Sequence, residues 1–136
     1  MSGENSRKPL SEILGIKEDM EGVVVNAPKK YVDMLEKLPR DVSILLEPKH
    51  TSKFIHVFAA KKRELETSLP RLAKKLASDG SIWVSWPNRS SEVGAELNEN
   101  VVRDVGLKNG LVDVKVVAID ETWSGLRFVY RLRDRK

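Results

Sequence analysis

A few polar and aromatic residues lie at the ends of apolar, β-branched stretches, where they could take part in catalysis or binding. Asp120 and Glu121 are adjacent carboxylates, and general acid–base chemistry would require one of them to lie beside a substrate and away from water. No histidine, serine or cysteine motif accompanies them, so we favour a turn-forming aspartate and a surface glutamate. Trp86 and Trp123 could form aromatic walls of a pocket, but we favour packing at the rim of the core.

Basic side chains follow the same predicted strand ends, namely Lys29, Lys30, Lys61, Lys62, Arg63 and Arg89. On a shared rim they could form a basic mouth for a phosphate or a carboxylate. We favour the simpler interpretation that helix starts and loops carry solvated charge.

Two longer segments are also basic. Residues 61–78 contain six basic and two acidic side chains, and residues 127–136 contain five and one, so each segment carries a net charge of +4. Either segment could bind nucleic acid. Since no aromatic residues interleave and no helix-turn-helix, zinc-finger or RNA-binding motif is present, we favour a solvated helix face and a charged tail.

The absence of cysteine excludes several classes of site. Disulfides, thiolate zinc sites, iron–sulfur clusters and cysteine nucleophiles cannot form. His50 and His56 lack metal-ligand spacing, and we interpret them as a loop histidine and a strand histidine. The sequence therefore predicts no metal site and no catalytic constellation.

Length and composition predict a globular domain. The 136 residues are 40% hydrophobic and 32% charged, with a net charge of +4. We expect a flexible tail over residues 1–8 and a single domain over residues 9–136. The segment MSGENSRKPL lacks an apolar signal region and no stretch approaches the ~20 apolar residues of a membrane span, so we expect a cytoplasmic protein with no membrane partner.

The apolar pattern predicts alternating strands and helices. We expect strands over residues 23–26, 42–47, 54–60, 81–86, 111–119 and 126–131. We expect helices over residues 9–16 and 29–37, the latter with Val32 and Leu35 facing the sheet. A third helix, with Leu65, Leu69, Leu72 and Leu76 on its buried face, should be kinked or divided at Pro70 and end at Asp79-Gly80. A fourth should be capped by Asn98 and end at Asn109-Gly110.

Two features of the sheet remain open. The connection between the second and third strands has about half of the dozen residues that a parallel crossover needs. Either an extended segment crosses a neighbouring strand, or these strands form an antiparallel pair. The last two strands predict an antiparallel hairpin whose valine-rich edge could form a homodimer, unless Asp113 and Lys115 protect that edge.

Several segments resemble a small bacterial family of unknown function that carries a shortened class I methyltransferase-like core. They are VVVNAP (23–28), SLPRLAKKLASDGSIWVSWP (68–87), VVRDVGL (101–107) and LVDVKVVAIDETWSGLRFV (111–129). The resemblance implies an α/β, three-layer, Rossmann-like fold with a mostly parallel six-stranded sheet and a C-terminal antiparallel hairpin. It also implies that the segment after Glu47 lacks the strand and helix that usually wall the adenine pocket.

The cofactor chemistry of that fold is not supported by the residues. A site for S-adenosylmethionine needs a glycine-rich loop after the first strand, whereas this loop reads Asn26-Ala27-Pro28-Lys29-Lys30. Glu47 stands about twenty residues downstream, where an acidic ribose ligand is often found. We predict no cofactor. Because ligands of such folds bind beyond the carboxyl ends of the strands, the candidate ligand-binding residues are Asn26, Lys29, Glu47, Lys61, Ser85, Trp86, Asp120 and Trp123.

Three functions follow from this interpretation. The leading hypothesis is a non-catalytic binding or regulatory module on a degenerate methyltransferase-like core. The second is a small enzyme, or a protein that binds an anionic or nucleotide-like ligand at the strand ends. The third is a nucleic-acid accessory protein.

Overall fold

Six strands and four helices make up the computed structural model, which describes residues 8–88 and 95–131. The strands are β1 (Glu21–Val25), β2 (Ser43–Leu45), β3 (Ser52–Phe58), β4 (Leu76–Pro87), β5 (Leu111–Ala118) and β6 (Trp123–Tyr130). The helices are α1 (Leu10–Leu14), α2 (Tyr31–Met34), α3 (Lys62–Ala73) and α4 (Glu99–Lys108). None of the helices in the described ranges is long and apolar enough to cross a membrane. Apart from Lys8, the predicted tail lies outside the described residues.

The strands form one mixed sheet in the order β2-β1-β3-β4-β6-β5. The first four strands of this order are parallel, and β6 runs antiparallel to both β4 and β5. The predicted α/β class, the mostly parallel sheet and the C-terminal hairpin are therefore confirmed.

The orientation of β2 is now settled. It pairs in parallel with β1, and β1 separates it from β3. The extended alternative is therefore correct, and residues 46–51 make the crossover. This short connection suffices because β2 has only three residues and no helix intervenes.

Two apolar clusters hold the three layers together. On one face, Leu65, Leu69 and Leu72 of α3 and buried valines of α4 pack on the sheet. On the other face, α1 and α2 pack on the sheet around Phe58 and Trp83. Consecutive valines of β1 enter opposite clusters, as expected for an interior parallel strand with both faces covered.

Two helices differ from their predicted form. The helix expected over residues 29–37 covers only Tyr31–Met34, and Val32 is 56% exposed instead of facing the sheet. Leu35 is buried as predicted, and Tyr31 is buried in place of Val32, because a single helical turn can present only a narrow face.

The third helix is one continuous element through Pro70, so the alternative of two separate helices is wrong. It ends at Ala73 and not at Asp79-Gly80 as predicted, and Leu76 belongs to β4 instead of to the helix face. The strand can begin this early because Gly80 allows a close approach to β3. A Cβ at Gly80 would lie 2.8 Å from the backbone of Lys53, at the irregularity in the β3–β4 pairing.

The sheet has two ends, which we name by the direction of its parallel strands. At the carboxyl edge lie the ends of β1 to β4 and the β5–β6 turn. At the amino edge lie the starts of these parallel strands and the last residues of α3, α4 and β6.

Candidate functional site

The loop after β1 turns through a non-glycine residue. Asn26 has φ 59°, a left-handed conformation that asparagine tolerates better than most residues. Pro28 follows and has no amide hydrogen to donate. The next helix, α2, has only four residues. This loop therefore presents neither the flexible glycine backbone nor the long helix N-terminus that bind a nucleotide-type cofactor.

The N-terminus of α3 also lies at the carboxyl edge, but side chains of the chain itself occupy its amides. The Glu64 carboxylate accepts hydrogen bonds from the amides of Ala60 (3.0 Å) and Lys61 (3.1 Å). These two bonds lower the pKa of Glu64. The Glu96 carboxylate accepts from the Lys62 amide at 3.0 Å. A ligand anion would have to displace two carboxylates to reach these donors.

The start of α4 is capped in a similar way. The Asn98 side chain accepts a hydrogen bond from the Val101 amide at 2.9 Å, so the predicted cap is confirmed. The predicted end at Asn109-Gly110 is confirmed as well, with Gly110 at φ 80°.

Asp120 and Glu121 lie in the β5–β6 turn, and hydrogen bonds within the protein hold this turn in place. One oxygen of Asp120 accepts from the amides of Thr122 and Trp123, both at 2.8 Å. The Asn88 side chain donates to the carbonyls of Asp120 (3.2 Å) and Glu121 (2.8 Å), and its backbone amide donates to Thr122. Asp120 therefore shapes the turn, as an aspartate in an Asx turn does.

Ser85 takes part in a buried chain of hydrogen bonds that the sequence analysis did not detect. His56 contacts the Ser85 hydroxyl through Nε2 (2.8 Å) and the Tyr31 hydroxyl through Nδ1 (2.9 Å). Both hydroxyls can donate or accept, so both ring nitrogens are satisfied. Burial lowers the pKa of His56 to about 3 and raises that of Tyr31. This chain fixes α2 to the sheet.

A sequence signal for this network did exist. His56 interrupts the apolar run of β3, and a buried polar side chain nearly always has hydrogen-bond partners. The partners themselves lie 25 and 29 residues away and could not be identified from spacing. The interpretation of His56 as a strand histidine agrees with its position in β3.

The tryptophans do not face a common pocket. Trp86 is buried in the cluster beneath α3 and α4. Trp123 is half-buried on the opposite face, where its ring packs edge-on against Phe58 at 4.9 Å. Trp83 donates from its indole nitrogen to the Leu14 carbonyl at 2.9 Å. All three contacts agree with packing at the rim and in the core.

Two of the candidate residues line one cleft. Asn26 and Glu47 border a cleft of about 470 Å³ at the ends of β1 and β2, and α3 contributes Ser68 and Arg71. Lys29 and Lys61 are exposed and lie outside the lining of this cleft.

A second cleft lies between α1, α2 and the β5–β6 turn. It has about 850 Å³ and is lined by Lys30 and Asp33, by apolar residues of both helices, and by residues 118–122. Within the described ranges, no group of three or more histidine, aspartate or glutamate side chains could hold a metal ion.

Several solved structures that resemble this chain are methyltransferases. A SAM-dependent methyltransferase from Aquifex aeolicus has a TM-score of 0.63 at 13% identity, with 86% of this chain and 85% of that chain covered. An O-methyltransferase from neocarzinostatin biosynthesis, solved with S-adenosylmethionine, has a TM-score of 0.62 at 12% identity. The comparison covers 82% of this chain and 49% of that enzyme, so this chain spans about half of its length.

A third neighbour is the magnesium protoporphyrin IX methyltransferase of Synechocystis, solved with bound S-adenosylmethionine. Its TM-score is 0.58 at 9% identity, with 90% of this chain and 74% of that chain covered. No protein-family model and no curated protein matches the sequence. The chain has a methyltransferase-type, Rossmann-like α/β fold.

This fold implies S-adenosylmethionine, but the described carboxyl edge does not fit that cofactor. Its first loop has Pro28 instead of a glycine run, and α2 is a single turn. The amides at the start of α3 already bond to Glu64 and Glu96. Glu47 alone stands where a ribose ligand would be expected, and it is exposed beyond a three-residue strand.

Proposed function

We propose that this chain is a non-catalytic binding or regulatory module on a degenerate methyltransferase-like core. The observation that carries the proposal is that the helix N-termini at the carboxyl edge are either very short or already bonded to side chains of the protein. α2 is too short to bind an anion, Glu64 and Glu96 occupy the start of α3, and Asn98 caps α4. An anion that bound at the starts of α3 and α4 would compete with Glu64, Glu96 and Asn98 for the backbone amides.

The described residues form no catalytic constellation, which supports the same proposal. Ser85 and His56 are fully buried, and the fold uses their hydrogen bonds internally. A buried neutral histidine with two hydroxyl partners cannot accept a proton from a substrate in solvent. The Asp120 carboxylate is bonded to its own turn.

A calorimetric titration of the purified chain with S-adenosylmethionine and with S-adenosylhomocysteine tests the proposal. We expect no saturable heat, which places any Kd above about 1 mM. Saturable binding of either compound with a Kd near 10 μM or tighter would overturn it, since ~10 μM corresponds to about −7 kcal/mol of specific binding free energy.

A second candidate function is binding of a small anionic ligand in the cleft between β1, β2 and α3. The observation that favours it is the placement of Arg71 and Ser68 beside Asn26 and Glu47. A guanidinium can bond a phosphate or carboxylate through two parallel hydrogen bonds. The neighbouring Glu47 would select a ligand that also carries hydroxyl donors, such as a nucleotide ribose.

Thermal unfolding with adenosine monophosphate tests this second candidate. If the cleft binds the nucleotide, the unfolding midpoint should rise with its concentration, and R71A should abolish the rise. The matched control is R63A, because Arg63 is exposed on the same helix and lies outside the lining of the cleft. An unchanged midpoint, or an equal response in both variants, would refute the candidate.

A further inference from the structure

Arg127 and Lys115 lie directly opposite each other on the two strands of the C-terminal hairpin. Arg127 of β6 pairs with Lys115 of β5 on one side and with Trp83 of β4 on the other, so the three residues form one row across the sheet. Side chains that are directly opposite on antiparallel strands point to the same face. Trp83 belongs to the cluster that packs against α1 and α2, so both cations lie on that face of the sheet.

The Lys115 side chain brings its positive charge towards Arg127. Its ammonium nitrogen lies 6.0 Å from the centre of the Trp83 ring, a distance at which a cation is attracted to an aromatic face. Because β6 separates β5 from β4, the Lys115 side chain must extend across the strand that carries Arg127 to reach this ring. Two positive charges therefore converge on one small area of the sheet.

Neither cation has an acidic partner among the residues that the structure describes. Arg127 and Lys115 form no ion pair with them, and the Nε atom of Arg127 is buried without a hydrogen-bond acceptor. Asp113 is the only carboxylate within β5 and β6, and it bonds to Arg103 of α4 on the other face. Asp79 of β4 pairs with a lysine of β3 at 3.3 Å.

The acidic residues of α1 and of the loop after it lie beside other cations. Glu12 pairs with Lys8 at 3.8 Å, and Glu18 pairs with Arg40 at 3.6 Å. The amide of Asp19 donates to the Arg40 carbonyl, so Asp19 is also near Arg40. Arg40 comes shortly before β2, which forms the edge of the sheet opposite to β5. The two cations of the hairpin are therefore not neutralised from this loop.

This arrangement is unfavourable for the stability of the free protein. Like charges directly opposite each other on antiparallel strands are destabilising, and a buried N–H group without an acceptor adds a further penalty. The aliphatic stems of arginine and lysine can cover apolar surface such as the Trp83 ring. An uncharged or acidic side chain at position 115 or 127 could cover the same surface without the repulsion. An anion bound beside both cations would remove the repulsion as well.

We propose that Arg127 and Lys115 bind the phosphate or carboxylate group of a small anionic ligand. A guanidinium can donate two parallel hydrogen bonds to either group, and the lysine ammonium adds a compact positive charge. The site is separate from the cleft lined by Asn26, Glu47 and Arg71, because α3 packs on the other face of the sheet. It also makes no use of the carboxyl edge, so this proposal and the proposed function can fail separately.

An NMR titration of the ¹⁵N-labelled full chain with sodium phosphate tests the proposal. Sodium acetate and sodium chloride are titrated in parallel at the same ionic strength. We expect saturable shifts of the Arg127 Nε signal and of the Lys115 amide with phosphate or acetate, with a Kd of about 0.1–10 mM for two or three charge-assisted hydrogen bonds. The anion with the lower Kd shows whether the site prefers phosphate or carboxylate, and chloride should give no saturable shift.

Single-charge variants locate the contact. R127M retains an aliphatic side chain over the sheet, and K115Q changes an exposed position, so K115Q tests the site even if R127M does not fold. Each variant should weaken binding of the anion by about tenfold or more, because each removes a charged donor. The Lys115 amide reports on R127M, and the Arg127 Nε signal reports on K115Q. The matched control is R63Q, on exposed α3, which should change the Kd by less than about twofold.

Three results would overturn the proposal. One is the absence of saturable shifts with both phosphate and acetate. Another is an equal response to chloride, which would indicate a general effect of ionic strength. The third is a Kd that K115Q leaves unchanged, or that R63Q raises as much as K115Q does, since either result would place the bound anion elsewhere on the protein.

Discussion

His56 is fully buried among aromatic rings, stacked on Phe58 and edge-on to Tyr31. The neutral imidazole is well accommodated because hydroxyl groups bond both nitrogens. An imidazolium would lose its hydration without gaining an anionic partner. The network therefore stabilises the fold only while His56 is neutral.

This predicts a pH dependence of stability. The pKa of His56 falls from 6.5 to about 3 on folding, so below pH 6.5 the unfolded state binds a proton that the folded state does not. The free energy of unfolding should fall by about 2 kcal/mol between pH 7 and pH 5, measured by urea denaturation. H56Q should be less stable than the wild type at pH 7, but its free energy of unfolding should fall less between pH 7 and pH 5. H50Q, at an exposed loop position, should follow the wild-type profile, and an identical profile in all three proteins would contradict this account.

The hydrogen bonds of Glu64 at the start of α3 lead to a second prediction about a single residue. E64A removes the acceptor of two amides at the start of α3 and should lower the free energy of unfolding by about 0.5–1 kcal/mol. E66A is the matched control, because Glu66 is exposed on the same helix and should change stability by less than about 0.5 kcal/mol. Thermal or urea unfolding at pH 7 measures both, and equal effects would argue against the cap.

Single residues were predictable from sequence where their role is local. Asn98 could be assigned as a cap because it precedes a helical pattern directly. The cap by Glu64 was also predictable, because Glu64 lies three residues after Lys61, the spacing of a capping box. The sequence analysis includes this residue only in the net charge of residues 61–78. Tyr31 and Ser85 could not be linked to His56, because their contacts depend on how the strands are ordered in the sheet.

Packing between elements depends on small residues at close contacts. Gly106 places α4 against β6, and a Cβ at this position would lie 2.2 Å from the Phe128 ring. Phe128 is itself fully buried and cannot move into solvent without opening the cluster. The distance between α4 and the sheet is therefore fixed by this glycine.

G106A should destabilise the protein by about 2 kcal/mol, despite the better helix propensity of alanine, because it overpacks a closed core. D104A, on the exposed face of the same helix, should change stability by less than about 0.5 kcal/mol. Urea unfolding of both variants measures the difference. A G106A variant as stable as the wild type would show that α4 can shift away from β6.

The presence and order of the strands and helices were largely predictable from the sequence. The residues at which they begin and end were less predictable. The strand–helix alternation and the closing hairpin follow from runs of valine and from the leucine spacing of α3. The length of β4 was underestimated because Leu76 continues the helical spacing of Leu65, Leu69 and Leu72 by coincidence. α2 was overestimated because Val32 fits a helical face that the structure leaves in solvent.

At the scale of the whole molecule, β5 forms one edge of the sheet. Val114 and Val116 are 48% and 47% exposed there, with Lys115 between them. The pairing of β5 with β6 is irregular between Asp113 and Lys115. Asp113 is also bonded to Arg103 of α4 at 2.9 Å. A charged side chain and a bulge are devices that discourage edge-to-edge association.

K115V removes the charge and creates an uninterrupted valine run over residues 114–117. We expect this variant to self-associate at concentrations where the wild type does not, as measured by light scattering or sedimentation. K49V adds the same side chain in an exposed loop and should leave the oligomeric state unchanged. If the wild type is already a dimer and K115V does not alter it, Lys115 does not protect this edge.

We propose that the carboxyl edge of this methyltransferase-like fold does not bind the cofactor that its fold implies. The most direct test is an amide NMR titration of the ¹⁵N-labelled chain with S-adenosylmethionine at up to about 2 mM. We predict no saturable shifts at Val25, Asn26, Ala27, Glu47, Ala60 and Lys61. Saturable shifts at these amides would show that the cofactor displaces the Glu64 cap, and would contradict the account.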